Sequence, residues 1–454
     1  MTAFALALST AIPASATAFT IPAGSTTSCK KNASPVKDWW PNSGNSTNVA
    51  NSSVLSMAVL NGQIWVVNRA NSTTNMSMAV IDGESFKKVS AVDMTGIPTS
   101  GDDIASGNVV QIRRFGDKII GLNCPSSFYK NSYFYIWEKA TSKPTITKFC
   151  IATVFNSGSD GRVSLGRGLG VYGTPTDGKI YVLSQNKKKV LVFTIKNNTI
   201  NTKASVITLS GTTLETTDSD YAYIEPMSDG SFWIATQKIY GYHYKSDGSF
   251  IEKLESNGIG TSPGTGQRHF TFKDQKLALC MNFSSDKDAS GLTSSWVKPH
   301  LSLIDYTNGV GSKQNNIIEE TTILSDHVQD KIIVTACDYE IKTADKHLIL
   351  YGLDCDGGIV RVEYDETSKK PAIVANFKAE AKWDGAEQKV TLSWDAAAKA
   401  TSYSVLYYTD DEKKAVEVYN DSKTTCTLDL AIGGGKKHHY KVKGVNADGE
   451  SEKS

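Results

Sequence analysis

The sequence predicts an all-β fold, and three features carry that prediction. The first is a signature that returns six times, a turn of Asn, Asp or Gly type followed closely by a short apolar run. The copies are Asn61-Gly62 before Ile64–Val67, Gly116-Asp117 before Ile119–Leu122, and Asp177-Gly178 before Ile180–Leu183. They continue with Asp229-Gly230 before Phe232–Ala235, Asp274-Gln275 before Leu277–Met281, and Asp345-Lys346 before Leu348–Leu353. Turn residues of this kind supply the φ > 0 positions of tight hairpins. The second feature is spacing: a recurrence of about 45–70 residues leaves room for two more strands per copy, the period of propeller blades. The third is composition, with Gly 36, Tyr 19, 40% hydrophobic and 21% charged residues, which suits a β-rich globular chain. Four-stranded units repeated radially hide their edges and bury a continuous core. The region 54–378 therefore reads as a six-bladed β-propeller, with seven blades as the alternative if residues 19–53 and other irregular parts build one more. Solenoids and paired sandwiches are the rivals, and the four-strand period favours the ring.

In chain order, residues 1–18 read as a signal peptide. Phe4–Leu8 and Ala11-Ile12 form a short apolar core, and Ala14-Ser15-Ala16 and Ala16-Thr17-Ala18 are small-residue cleavage patterns. No Lys or Arg precedes the apolar run, which is too short to span a bilayer. Residues 19–53 are a polar lead-in, or the closing strand of the ring, with Trp39-Trp40 docked on its edge. The first unit takes strands over Val54–Leu60, Ile64–Val67, Met78–Ile81 and Lys88–Met94. The third takes Gly168–Tyr172, Lys179–Leu183, Val190–Ile195 and Ser205–Leu209, and the fourth Tyr221–Met227, Phe232–Ala235, Ile239–Tyr244 and Phe250–Leu254. The sixth takes Ile332–Cys337, Leu348–Leu353, Ile359–Tyr364 and Ala372–Phe377. Connections at 95–107, 151–166, 210–220, 256–267 and 283–299 are long and open on one face. Long loops in compact domains are usually functional, so any site is expected on that face at the mouth of the central channel.

Residues 379–454 change character. Trp394, the Ser402-Tyr403-Ser404-Val405 strand, Leu428-Asp429-Leu430 and Tyr440-Lys441-Val442 resemble a fibronectin type III module, which implies a small β-sandwich. After Asn446-Ala447-Asp448-Gly449-Glu450 no final strand is expected, so the module reads as incomplete at its C-terminus. By layout, 54–378 also resembles secreted bacterial β-propeller domains of unknown function, and that resemblance assigns no catalytic residue.

Lys+Arg 48 against Asp+Glu 47 gives a net charge of +1. A chain without a basic field is not expected to hold nucleic acid. The seven cysteines show no zinc spacing. They read as buried free thiols, with Cys124–Cys150 or Cys337–Cys355 as the pairings open within a blade. Arg69, Arg113, Arg114, Arg162, Arg167, Arg268 and His269 fall near strand ends or long loops. Gathered at a channel mouth, such guanidinium groups would suit carboxylates or sulfates; scattered, they are solvated or paired with Asp. Asp286, Asp288 and Ser290 before Gly291 follow half of a calcium-loop pattern, but the position for a bidentate Glu is Val297. Calcium is the one cofactor considered, and none is expected. Trp296, on the same insertion, suits stacking on a sugar face or plugging a gap between blades.

No GxSxG elbow is present, and His269, His300 and His327 are the histidines placed for chemistry. Asp102, Asp103, Asp218, Asp220, Asp326 and Asp338 supply the carboxylates from which a glycosidase pair would be drawn. The ligand-binding candidates are thus Arg69, Arg114, Arg167, Arg268, His269, Trp296 and Asp338. The expected function is a secreted or surface-held monomeric binding protein, non-enzymatic, that recognises an extracellular glycan or protein. The alternative is a secreted glycoside hydrolase or polysaccharide lyase with its site at the channel mouth.

Overall fold

The computed structural model describes residues 26–32, 54–68, 76–104, 107–124, 131–150, 165–184, 188–212, 222–236, 239–254, 262–284, 298–307, 309–310, 316–322, 335–342, 346–354, 359–384, 387–429 and 437–453. The fold is all-β and propeller-like. Among the described residues the helical elements are two short 3-10 turns, Asp102–Ile104 and Glu412–Lys414, and no helix is long and apolar enough to cross a membrane.

The first strand, β1 (Thr26–Asn32), stands apart from the sheet that follows it. Then come five antiparallel sheets, each built from consecutive strands. The first holds β2 (Val54–Leu60), β3 (Gln63–Asn68), β4 (Ser77–Asp82) and β5 (Lys88–Ala91). The second holds β6 (Gln111–Phe115), β7 (Lys118–Leu122), β8 (Asn131–Trp137) and β9 (Thr145–Cys150). The third holds β10 (Leu165–Gly173), β11 (Asp177–Ser184) and β12 (Lys189–Lys196), whose outer edge is shared by β13 (Thr199–Ile200) and β14 (Ser205–Thr208). The fourth holds β15 (Ala222–Pro226), β16 (Phe232–Thr236), β17 (Ile239–Tyr244) and β18 (Phe250–Lys253). The fifth holds β19 (Ser262–Phe272), β20 (Gln275–Ser284), β21 (Lys298–Asp305) and β22 (Asn316–Thr322).

The sixth sheet takes three strands from late in the chain, β23 (Thr335–Lys342), β24 (His347–Asp354) and β25 (Ile359–Asp365), and its fourth from the beginning. β1 runs antiparallel to β25, with Thr26 opposite Asp365 and Asn32 opposite Ile359. This corrects the expectation that Ala372–Phe377 supplies the fourth strand. That segment is irregular and turns toward the sandwich: Ala372 N donates to Ala398 O and Asp395 N to Ala375 O, and Val374 lies in the sandwich core.

The six apolar runs flagged in the sequence lie in the second strands of the six sheets, and both faces of each run are covered. A strand buried on both sides reads as a continuous apolar run rather than an alternating one, and period 2 sends successive side chains to opposite gaps. On β3, Ile64 and Val66 face the sixth sheet while Trp65 and Val67 face the second. On β11, Ile180 and Val182 face the second sheet while Tyr181 and Leu183 face the fourth. On β24, Leu348 and Leu350 face the fifth sheet while Ile349, Tyr351 and Leu353 face the first. Each neighbouring pair of sheets thus encloses its own apolar cluster, including the last pair with the first. The first hairpin carries strain that Asn and Gly tolerate: Asn61 and Gly62 have φ of 53° and 73°. The third and fifth hairpins differ from the expectation, since Gly173 rather than Asp177-Gly178, and Lys273 rather than Asp274-Gln275, take the positive φ, at 82° and 54°.

The remainder forms a sandwich from β26 (Lys378–Asp384), β27 (Glu387–Ser393), β28 (Ser402–Tyr408), β29 (Val416–Asp421), β30 (Thr425–Asp429), β31 (His439–Asn446) and β32 (Gly449–Glu450). One sheet has the order β26-β27-β30 and the other β29-β28-β31-β32. Trp394, Leu392, Val405, Tyr403 and Val442 fill the space between them. The sequence left no final strand here, but Gly449–Glu450 pair with Val445–Asn446 because Gly449 accepts a φ of 131° at the turn.

The gap between the sixth and first sheets also carries polar contacts. Gly62 N donates to Glu340, and within the sixth sheet Glu363 bonds His347 and, at 2.5 Å, Arg361 Nη1. Burial pushes the Glu363 carboxyl up, but the bonds to His347 and Arg361 outweigh it and hold it at about 2. A carboxyl depressed in the folded state stabilises above its ordinary value and loses that contribution as pH falls through the depressed one. Stability is therefore expected to fall between pH 4.5 and about 2, with Glu363→Gln losing about 2–3 kcal/mol at pH 7 and flattening the acid limb. Urea unfolding across pH checks this; parallel curves for the variant and the parent chain would contradict it.

Candidate functional site

The first strands of the six sheets form the inner ring. β2, β6, β10, β15, β19 and β23 each lie against the next, and β23 lies against β2. Charged side chains from four of them meet inside. Arg268 on β19 is the hub: its Nε and Nη2 donate to Asp338 Oδ1 on β23 at 3.0 and 2.8 Å, and its Nη1 donates to Glu225 Oε2 on β15 at 2.6 Å. Asp338 Oδ2 accepts the β2 amide of Val59 at 2.7 Å. One guanidinium, two carboxylates and a backbone amide thus tie four first strands together.

β6 adds two arginines that point to either side. The Arg113 guanidinium lies 5.2 Å from the centre of the Tyr223 ring on β15, and that of Arg114 lies 5.7 Å from the Tyr339 ring on β23. β6 neighbours neither β15 nor β23 in the ring, so both contacts span its interior. Tyr339 is backed by Phe270, stacked at 3.9 Å. Tyr223, Glu225, Arg114 and Tyr339 stay half-buried, whereas Arg113 is 1% exposed and Asp338 0%.

The electrostatics follow from burial and pairing. Burial alone would lower Arg268, but the Asp338 and Glu225 carboxylates hold it above the ordinary arginine range. Burial, reinforced by repulsion from Arg268, pulls Arg113 down to about 10. Glu225 is pushed up by burial, against the opposing pull of Arg268 and Arg113. Among the described residues Arg113 Nε and Nη2 have no hydrogen-bond partner, and its Nη1 reaches only the Ile112 carbonyl at 3.5 Å.

A second polar group lies between the fourth and fifth sheets. Trp233 on β16 is sandwiched between His243, at 4.4 Å and 6°, and His269, at 4.3 Å and 3°, with the Tyr306 ring edge-on. This gap has the sparsest apolar cluster, and the ring stack fills it. Gly241 makes room, since a Cβ there would sit 2.9 Å from Trp233 Cε3 and 3.1 Å from His269 Nε2. His243 also joins Ser231 and Glu252 in a relay, Nε2 to Oγ at 2.9 Å and Nδ1 to Oε1 at 3.0 Å. The relay lacks a free nucleophile. Ser231 Oγ donates to Asp229 Oδ1 at 2.5 Å, and the Ser231 and Gly230 amides, which could have formed an oxyanion hole, donate to Asp229 Oδ1 and Met227 O.

Of the sequence candidates, Arg268, Asp338 and Arg114 come together in the inner ring. His269 is 3% exposed in the stack, with Tyr306 Oη at 3.4 Å from Nδ1. Arg167 lies on β10. Arg69, Trp296 and the calcium-type Asp286, Asp288 and Ser290 lie outside the described residues, as do residues 1–18, Trp39-Trp40, Arg162, Asp218, Asp220, Asp326 and His327. Asp103 clamps a loop, accepting from Asn131 N, Asn131 Nδ2 and Tyr133 Oη. His300 lies on β21. Cys280, Cys337 and Cys426 are buried free thiols, and Cys355 lies outside the described residues. Sequence reasoning missed Glu225, Tyr223, Tyr339 and the Trp233 stack. A usable signal existed for Glu225: a charge set within an otherwise apolar first strand, two residues before its hairpin.

No family model matches the chain, and no curated protein matches it. Among solved structures, a DUF4623 family protein from Bacteroides eggerthii is similar in fold, with a TM-score of 0.52 at 12% identity over 75% of each chain. Trypanosoma rangeli sialidase in complex with sialic acid aligns with a TM-score of 0.42 at 10% identity, over 92% of this chain and 87% of that one. The extracellular domain of a putative hybrid two component system from B. thetaiotaomicron gives 0.34 at 12% identity, over 88% and 54%.

Asp338→Ala leaves a buried guanidinium short of its main partner and is expected to lower the unfolding free energy by about 3–5 kcal/mol in urea titration. Gly241→Ala is expected to disturb the ring stack, shifting tryptophan fluorescence and lowering the melting temperature. Parent-like values for both variants would refute the structural roles of hub and stack.

Proposed function

We propose that the chain is a secreted or surface-held binding protein, not an enzyme, and that it recognises an extracellular glycan or protein on the long-loop face of a six-bladed propeller. The blade count is supported by six first strands in mutual contact. The sandwich is read as the fibronectin type III-like spacer, supported by Trp394 packed edge-on against Tyr403 in its core. Export rests on the apolar segment and cleavage patterns of residues 1–18.

One observation carries the choice of binding over catalysis. Asp338 and Glu225, the carboxylates that meet inside the ring, are bridged by the single guanidinium of Arg268. Glycoside cleavage needs one carboxyl free to give a proton and another free to act as nucleophile or base. Bridging to a guanidinium commits both to structure.

The test is a panel of plant and host polysaccharides and extracellular proteins, scored for both binding and product release. Saturable binding without reducing sugar or unsaturated product is expected. Turnover abolished by Asp338→Asn or His269→Ala would overturn the reading in favour of a hydrolase or lyase.

A further inference from the structure

We infer that Arg113 is the seat of a compact oxyanion (a carboxylate, sulfate or phosphate group) held inside the ring. This goes beyond the binding reading above, since an inorganic anion would take the seat whether or not a macromolecule engages the loop face.

Three observations converge on Arg113. Its guanidinium is nine-tenths buried and more, yet among the described residues the Nε–Nη2 edge has no partner. That edge is the fork that grips two oxygens of a carboxylate, sulfate or phosphate side by side. The other sides are engaged, the ring of Tyr223 lying against the group and Nη1 turned to the Ile112 carbonyl. A buried donor left empty is rare, and a buried charged one rarer.

The neighbouring carboxylates do not fill the fork. Both oxygens of Asp338 are taken, by Arg268 and by the Val59 amide, and Glu225 Oε2 is taken by Arg268. Among the described residues Arg113 forms no ion pair. The balance of charge points the same way. Among the described side chains the cluster joins three guanidinium groups, Arg113, Arg114 and Arg268, to two carboxylates, Glu225 and Asp338, one positive charge in surplus. A monoanion neutralises that surplus where little water can screen it. Access lies on the side of Tyr223 and Glu225, which keep some solvent exposure, 14% for the Glu225 side chain.

Sulfate, phosphate and acetate are titrated separately into the purified full-length chain at constant ionic strength set with sodium chloride. Thermal unfolding and calorimetry are read together. At least one oxyanion is expected to raise the melting temperature saturably and to bind with measurable heat, and the three arms rank the preferred headgroup. Arg113→Gln is expected to abolish the saturable part. Glu225→Gln, which removes a facing negative charge, is expected to tighten binding by about tenfold. If Arg113→Gln does not fold, Arg113→Lys keeps the charge without the fork and is expected to weaken binding. A non-saturating rise identical in the parent and Arg113 variants, or Glu225→Gln leaving affinity unchanged or weaker, overturns the inference. Neither result bears on polysaccharide or protein binding, which is scored separately.

Discussion

Every sheet of the larger region is apolar on both faces, and that constraint dictates the rest. A stack of such sheets laid in a row would leave two apolar faces in water. At about 25 cal/mol per Å² of apolar surface, two exposed faces would forfeit a large part of the stabilisation gained elsewhere. Bending the row until the sixth sheet meets the first removes both ends. The cluster joining Met57, Val59, Ile64 and Val66 to Ile349, Tyr351 and Leu353 is the product of that closure. β1 completes the sixth sheet from the opposite end of the chain, so backbone hydrogen bonds fasten the joint as well as apolar contact.

Closure has a consequence at the centre. The first strands crowd together, and side chains that turn inward leave water without entering an apolar gap. Charges are tolerated in such a place only when paired and hydrogen-bonded. Arg268 meets that requirement by bridging Asp338 and Glu225, and Asp338 extends the bridge to the Val59 amide on the first sheet. The polar hub therefore reaches across the joint that the apolar cluster closes. Where an apolar filling is thin, as between the fourth and fifth sheets, stacked rings of His243, Trp233 and His269 occupy the space.

The sequence revealed what is periodic and local. Continuous apolar runs such as Ile64–Val67 and Ile180–Leu183 marked second strands because both faces of those strands are buried, which makes the pattern dense and unmistakable. Pairings between distant residues were not legible in the same way. Ala372–Phe377 has the composition of an outer strand, yet Thr26–Asn32 takes that place through contacts some 330 residues away in sequence. The site was legible in part for the same reason. Arg268 and Arg114 stood out as charges near strand ends or long loops, and Asp338 as a carboxylate suited to a glycosidase pair. Glu225 drew no notice, because its role depends on a guanidinium from the next sheet and not on its own neighbours in sequence. His269 looked like a catalytic histidine beside an arginine, but period 2 sends adjacent residues to opposite sides: Arg268 goes inward and His269 into the gap against Trp233.

Native-state hydrogen exchange, resolved to peptides covering residues 26–32 and 359–365, tests closure most directly. A ring fastened by β1 against β25 predicts that amides of both segments exchange slowly and together, at rates like those of β24 in the same sheet. Rapid exchange across 26–32 at the rate of a free chain, with 359–365 still protected, would contradict it.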